Sequence, residues 1–311
     1  MKNKAKLITS LLSLGLILTA FGNNKDKRDL SSDYKLSYSD TSNNKKSEVS
    51  KKDQGKIEES SINSDILKQN WKYKVYLPSG YDENRDEKYP VLYMLHDMGG
   101  NSESILEKSN TKEKLDKIMK DKKTTMIVVF VDGFSSFYVD SDYDKKIESA
   151  IKDELIKEID KNYNTNSNKN ARAIGGVSMG GYGAASLSLK NPDLFSTSLL
   201  ISPTLWENLD KESPIRRNYR AFSDGKEIWS DEVYNKKFPS NYIDEKSKDI
   251  NFYIRSSQGD QTINIEDIEK FNKSLEKAGI KTEFKEDGKE FDHSWDYWNK
   301  ITEESYQWVL D

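Results

Sequence analysis

Gly176-Val177-Ser178-Met179-Gly180-Gly181 follows directly on a short apolar run, Ala171 to Ile174. A G-x-S-x-G pattern between a strand and a helix marks a nucleophile elbow, in which small residues flank a serine whose backbone turns sharply and lifts its hydroxyl clear of the sheet. Side chains in place of those glycines would collide with the neighbouring strand and helix. Downstream, Tyr182 to Lys190 has helix-compatible composition and Asn191-Pro192 supplies a stop. The hexapeptide alone is a weak signal, since the chain holds 16 glycines and a turn can match the pattern by chance. Its neighbours in the chain decide its meaning.

Upstream, Trp71, Tyr73, Val75 and Leu77 alternate with Lys72, Lys74 and Tyr76, the period of two expected of a half-buried strand. Val91 to Leu95 is a continuous apolar run that suits a central strand buried on both faces. It leads into His96-Asp97-Met98-Gly99-Gly100-Asn101, a glycine-containing loop at the strand end where an α/β sheet places its ligand crevice. In serine hydrolases of such architecture that loop supplies one backbone N–H to the oxyanion and the residue after the nucleophile supplies another, which makes Met98 and Met179 the candidates here.

Ser102 to Lys120 is helical in composition, and Thr125 to Val131 reads as another buried strand. Ile147, Ile151, Leu155 and Ile159 recur among Lys, Asp and Glu as the apolar stripe of an amphipathic helix. Beyond the elbow come a strand at Thr197 to Ile201, an irregular aromatic-rich stretch from Thr204 to about Asp249, and a strand at Asn251 to Ser256. A helix carrying Ile265, Ile268, Phe271 and Leu275, a strand at Lys281 to Glu286 and a final helix with Trp298, Tyr306 and Val309 complete the chain. Strands alternating with helices imply an α/β fold with a mainly parallel sheet covered on both faces. The irregular stretch reads as an insertion, whose aromatics, with Phe137 and Tyr138, either line an acyl or sugar site or pack among themselves.

The N-terminal part reads differently. Lys2, Lys4 and Lys6 precede an apolar run from Leu7 to Phe21, the order of a secretory signal, with Ala20-Phe21-Gly22 as a small-x-small cleavage pattern. Leu18-Thr19-Ala20 resembles the start of a lipoprotein signal, but Phe21 stands where the lipidated cysteine would be. Residues 23–64 are polar, with almost no aromatic or branched apolar side chain, and read as a disordered tether. This divides the chain into a signal peptide (1–22), a tether (23–64) and a folded domain (65–311), and places the protein outside the cell or at its surface. Membrane contact is expected only through an uncleaved signal. With 49 basic against 53 acidic residues and no basic block in the folded part, nucleic acid is disfavoured as a partner. No cysteine and two histidines leave no thiolate nucleophile and no His-rich metal site; no cofactor is expected.

A serine nucleophile needs a base within hydrogen-bond reach, normally an imidazole. His96 belongs to the oxyanion-loop strand end, where holding the loop is its expected role; His293 follows the last strand. Hydrolases with this elbow carry their triad in the chain order Ser, acid, His, which His293 satisfies and His96 does not. Asp260 follows the strand Asn251 to Ser256 after a glycine, the position for the acid, with Glu266 in reserve.

Several segments resemble the putative-esterase family of α/β-hydrolases. They are Lys74 to Asp82, Tyr89 to His96, Ser136 to Ser141, Arg172 to Ala184, and His293-Ser294-Trp295. That family groups feruloyl and acetyl xylan esterases, S-formylglutathione hydrolases and mycolyltransferases, and the resemblance runs from Trp71 nearly to the end. It implies the α/β-hydrolase fold, Ser178, Asp260 and His293 as a triad, Met98 with Met179 as oxyanion donors, and a small-molecule or carbohydrate ester as substrate. The expectation is an exported serine esterase working through an acyl-enzyme. An acyltransferase of the same fold, or a surface binding protein that keeps the fold without turnover, are the alternatives. One departure stands out: the family has His-Gly at the oxyanion loop, and here Asp97 replaces the glycine. Asp tolerates a positive φ better than most residues, whereas a carboxylate beside a developing oxyanion would weaken its stabilisation.

Overall fold

The computed structural model describes residues 54–311. The signal-like segment and the tether up to residue 53 lie outside the described residues. An eight-stranded sheet in the order β1-β2-β4-β3-β5-β6-β7-β8 forms the middle layer. Its strands are β1 (Lys56–Ser64), β2 (Gln69–Leu77), β3 (Val91–Leu95), β4 (Ile127–Val131), β5 (Arg172–Val177), β6 (Thr197–Ile201), β7 (Asn251–Ser257) and β8 (Lys281–Asp287). The β1–β2 and β2–β4 pairings are antiparallel and the rest parallel.

The pleat sends alternate side chains of each central strand into two separate cores. Val91, Tyr93 and Leu95 of β3 join Val129 and Val131 of β4 on one face, while Leu92 and Met94 join Val128 and Phe130 on the other. The second face is covered by α1 (Ser104–Lys108), α2 (Thr111–Lys122) and α9 (Trp295–Val309), through Ile105, Leu115, Ile118, Trp298 and Ile301. The first is covered by α3 (Ile147–Ala150), α4 (Ile156–Asn162), α5 (Met179–Lys190) and α8 (Ile265–Lys277). This is the α/β-hydrolase architecture.

The helix expected around Ile147 is continuous to Asn162 but contains a π turn at Ile151–Leu155. The spacing explains it. Side chains four apart in a 3.6-residue helix drift by about 40° per step, so Ile147, Ile151, Leu155 and Ile159 would wind off the core. The wider π turn returns all four to full burial.

Two expectations are corrected. The tether does not extend to Ser64, because Lys56–Ser64 is strand β1, paired with β2 along its whole length from Lys56 opposite Leu77 to Ser64 opposite Gln69. Only Ile57 and Ile62 of its nine residues are apolar, too few to register as a strand, but an edge strand gains its place from backbone pairing. Its charges discourage further pairing and meet partners across the ladder, as Glu59 does with Lys72 at 3.2 Å and Lys74 at 3.7 Å. The stretch after β6 is also not wholly irregular: it contains α6 (Ile215–Asn218), α7 (Asp231–Lys236) and 3₁₀ turns at Pro239–Tyr242 and Glu245–Asp249.

A protein starting at Asp65 should therefore melt at least about 5 °C below one starting at Gln54, a shift of roughly 1–3 kcal/mol at this chain length. Thermal melts of the two proteins measure it, and equal melting temperatures would show that β1 adds nothing to the domain.

Candidate active site

Ser178 sits between β5 and α5 with φ 55° and ψ −115°, outside the regions an L-residue prefers. The glycines around it permit the approach this needs: a Cβ on Gly176 would lie 2.2 Å from the Gly180 carbonyl, and one on Gly180 would lie 2.1 Å from the Leu95 carbonyl oxygen. Ser178 is 2% exposed. Its Oγ lies 2.8 Å from His293 Nε2, and His293 Nδ1 lies 2.6 Å from Asp260 Oδ2. The proton on Nδ1 is directed to the carboxylate, which leaves Nε2 to accept from the serine hydroxyl. Asp260 Oδ1 accepts the backbone N–H groups of Thr262 (2.8 Å) and Ile263 (2.9 Å), so both carboxylate oxygens are partnered and the acid cannot swing away. The reserve acid, Glu266, is exposed in the first turn of α8.

The ends of β7 and β8 bring acid and base together. Ser257 Oγ donates to the Phe291 carbonyl at 2.7 Å, and the Gln258 N–H to the Asp287 carbonyl at 3.0 Å. Asp287 itself accepts from Arg255 Nε (2.6 Å), Arg255 Nη2 (3.1 Å) and the Tyr297 hydroxyl (2.7 Å), which ties β8 and the first turn of α9 to β7. The imidazole of His293 packs edge-on against Trp298 at 4.8 Å, and the Trp298 indole donates to Ser202 Oγ at 3.0 Å.

Met179 is the first residue of α5, where a helix leaves its N–H without an intrahelical acceptor. Met98 follows Asp97 in a turn closed by the Gly100 N–H on the Asp97 carbonyl at 3.1 Å. Among the described residues neither amide meets an acceptor. The positive φ of this loop falls on Gly99 (+74°), not on Asp97. Asp97 thus stands in ordinary backbone, with its Oδ2 accepting the Trp295 indole N–H at 3.1 Å.

His96 takes the structural place expected of it. The Gly133 N–H donates to its Nε2 at 2.9 Å, which leaves the ring proton on Nδ1 to reach the Asp97 carbonyl at 2.7 Å. The His96 N–H donates to the Tyr138 hydroxyl at 2.7 Å. Tyr138 and Gly133, in the turn after β4, were not singled out from sequence as supports of this loop. Phe137, Tyr138 and the insertion's Trp206, Phe222, Trp229 and Tyr234 are packing residues: Phe137, Tyr182, Phe222, Trp229 and Tyr234 are buried and make edge or stacked contacts with one another, while Tyr219, Phe238 and Tyr242 stay half-buried.

Comparison with known proteins places the chain in a family. The family model described as putative esterase matches residues 64–304. The chain belongs to the putative-esterase family. It is 26% identical over 265 residues to an acetyl esterase of Caldicellulosiruptor saccharolyticus, covering 79% of this chain and 95% of that protein. It is 35% identical over 136 residues to an endo-1,4-beta-xylanase/feruloyl esterase of Xylanibacter ruminicola, covering 41% of this chain and 19% of that much longer protein. A solved ferulic acid esterase shares the fold with a TM-score of 0.69 at 22% identity, over 83% of this chain and 97% of that one. Family membership and the hydrogen-bonded Ser–His–Asp array together support an enzyme of the serine carboxylic-ester hydrolase class.

Two outcomes follow from the supports. Tyr138→Phe leaves the buried His96 N–H without its partner, and urea unfolding should show a loss of about 1–3 kcal/mol; an unchanged midpoint would mean that the loop is held otherwise. Burial alone would raise the Asp287 carboxyl, but the hydrogen bonds from Arg255 and Tyr297 outweigh it and hold the group below its ordinary value. A lowered folded value contributes stability above the unfolded carboxyl range near pH ~4, lost as pH falls through the folded value. Asp287→Asn should therefore flatten the acid limb of the stability–pH curve below about pH 4, and an unaltered limb would refute the assignment.

Proposed function

We propose that the protein is an exported serine esterase that releases small acyl groups, acetyl or feruloyl, from carbohydrate. The observation that carries the reading is the run Ser178 Oγ, His293 Nε2, His293 Nδ1, Asp260 Oδ2, at 2.8 and 2.6 Å, on a strained elbow at the end of β5. Ser178 attacks the ester carbonyl as His293 takes its proton, and the developing oxyanion is received by the amides of Met98 and Met179. His293, now protonated and stabilised by Asp260, gives the proton to the departing sugar oxygen as the C–O bond breaks, releasing the sugar as its alcohol. Water activated by the same imidazole then cleaves the acyl-enzyme.

The acyl groups are those in the names of the two relatives, and the carbohydrate is that of the xylanase/feruloyl esterase. Export rests on the Lys-flanked apolar run at residues 7–21.

Purified protein should form a fluorophosphonate adduct that maps to Ser178 and should deacylate acetylated or feruloylated xylo-oligosaccharides. Ser178→Ala and His293→Ala should lose both properties, and Asp260→Asn should lower kcat by about 10³–10⁴ through the wrong histidine tautomer. Folded protein that takes no adduct would sink the mechanism. Turnover of p-nitrophenyl acetate with none of any acylated oligosaccharide would sink the substrate class alone.

A further inference from the structure

We propose that Asp97 is a positioning residue: by accepting the Trp295 indole N–H it clamps the oxyanion-side loop after β3 to the loop that carries His293. The inference rests on the hydrolase reading above. The bond joins residues 198 positions apart, at 3.1 Å. On one side Asp97 is continuous with Met98, and its carbonyl is fixed by His96 Nδ1 and by the Gly100 N–H. On the other, Trp295 lies two residues after His293. Its ring meets Trp298 edge-on at 5.1 Å, and Trp298 meets the His293 imidazole at 4.8 Å. Lys108 Nζ lies 5.1 Å from the Trp295 ring centre, holding the indole from outside. A continuous path therefore runs from the oxyanion loop through Asp97, Trp295 and Trp298 to the base.

Two observations point to the side chain, not the backbone, as the reason for an aspartate here. The positive φ of the loop is met at Gly99, so nothing in the turn demands Asp. Asp97 is also 9% exposed, and its Oδ1 has no hydrogen-bond partner among the described residues. A buried carboxylate oxygen without a partner is unfavourable, so the side chain does not stand there for stability. Such local conflicts in a folded chain concentrate at functional sites. The same charge acts on Tyr219 of the insertion, whose phenol is pushed up by burial and then by Asp97. The role assigned here requires an acceptor at the Oδ2 position and no charge, so Asn can replace Asp and Gly cannot.

The test compares the parent protein with Asp97→Asn, Asp97→Gly, Trp295→Phe and the Asp97→Gly/Trp295→Phe double variant. It uses p-nitrophenyl acetate kinetics and the ¹⁵N indole spectrum, with the Trp295 resonance assigned by its loss in Trp295→Phe. Asp97→Gly should lower kcat about tenfold with KM changed less than about twofold, since the geometry lost matters mainly in the transition state. Asp97→Asn should stay within about threefold of the parent, Trp295→Phe should match Asp97→Gly, and the double variant should lose no more than about twofold beyond either single change. Hydrogen exchange at the Trp295 indole should quicken in Asp97→Gly and not in Asp97→Asn. A glycine variant as fast as the parent, losses that multiply in the double variant, or indole exchange unchanged in Asp97→Gly would each overturn the clamp. A parent protein that neither turns over nor labels at Ser178 would overturn the esterase reading, and the clamp would then stand or fall on the exchange measurement.

Discussion

The backbone of Ser178 is the constraint on which the site depends. A non-glycine residue at φ 55°, ψ −115° costs about 1–3 kcal/mol and persists only where its surroundings over-determine it. Here they do. The Ser178 N–H donates to the Ile201 carbonyl at 2.8 Å, and the Ser178 carbonyl accepts from Gly181, Tyr182 and Thr204. Gly180 is wedged against the carbonyls of Leu95 and His96, so the start of α5 is set against the end of β3 by hard contact. The two amides proposed for the oxyanion, at Met98 and Met179, thus take their separation first from this backbone packing, to which the side-chain bonds of His96, Tyr138 and Asp97 add.

A second construction places the base and the acid. Gly259 lies beneath the carbonyls of Lys289 and Phe291, where a Cβ would come within 2.3 Å, so the loops after β7 and β8 are in direct contact. Asp260 and His293 are 33 residues apart in sequence, yet their separation is fixed by those loops and by the Arg255–Asp287–Tyr297 hydrogen bonds. The strain at Ser178 is local to β5, β6 and α5, whereas the imidazole's orientation belongs to β7, β8 and α9. A serine displaced from the elbow would leave the His–Asp pair formed.

Much of this was legible because it is written in local pattern. Continuous apolar runs gave β3, β4 and β6, small residues around Ser178 gave the elbow, and the chain order of Ser178, Asp260 and His293 gave the array. What was hidden depends on partners distant in sequence. Strand β1 carries almost no hydrophobic signal because its place comes from pairing with β2. The π turn at Ile151–Leu155 could have been inferred from the strict four-residue spacing of its apolar side chains, which a regular helix cannot keep on one face. The Tyr138 hydroxyl at the His96 amide, and the Trp295 indole at Asp97, join segments 42 and 198 positions apart and leave no periodic trace.

The aromatic insertion bears on where selectivity can reside. Tyr182 of α5 lies at the centre of that cluster, with its hydroxyl donating to the Lys237 carbonyl at 2.8 Å, while the Tyr234 hydroxyl donates to the Trp206 carbonyl at 2.9 Å. Burial pushes the Lys237 ammonium down, yet it donates to the Asp140 carbonyl at 2.5 Å and so ties the insertion to the turn after β4. Residues held this way, ring on ring with their polar atoms partnered, form a wall behind the elbow and not a lid that closes over it. They cannot discriminate between esters by contact, because they are not at the surface where an ester arrives. Tyr219, whose phenol is pushed up by burial and then by the Asp97 charge, and Trp295, which donates to Asp97, are by contrast only half-buried. The fully buried rings therefore hold the elbow from behind, and any contact with an ester belongs to side chains outside them.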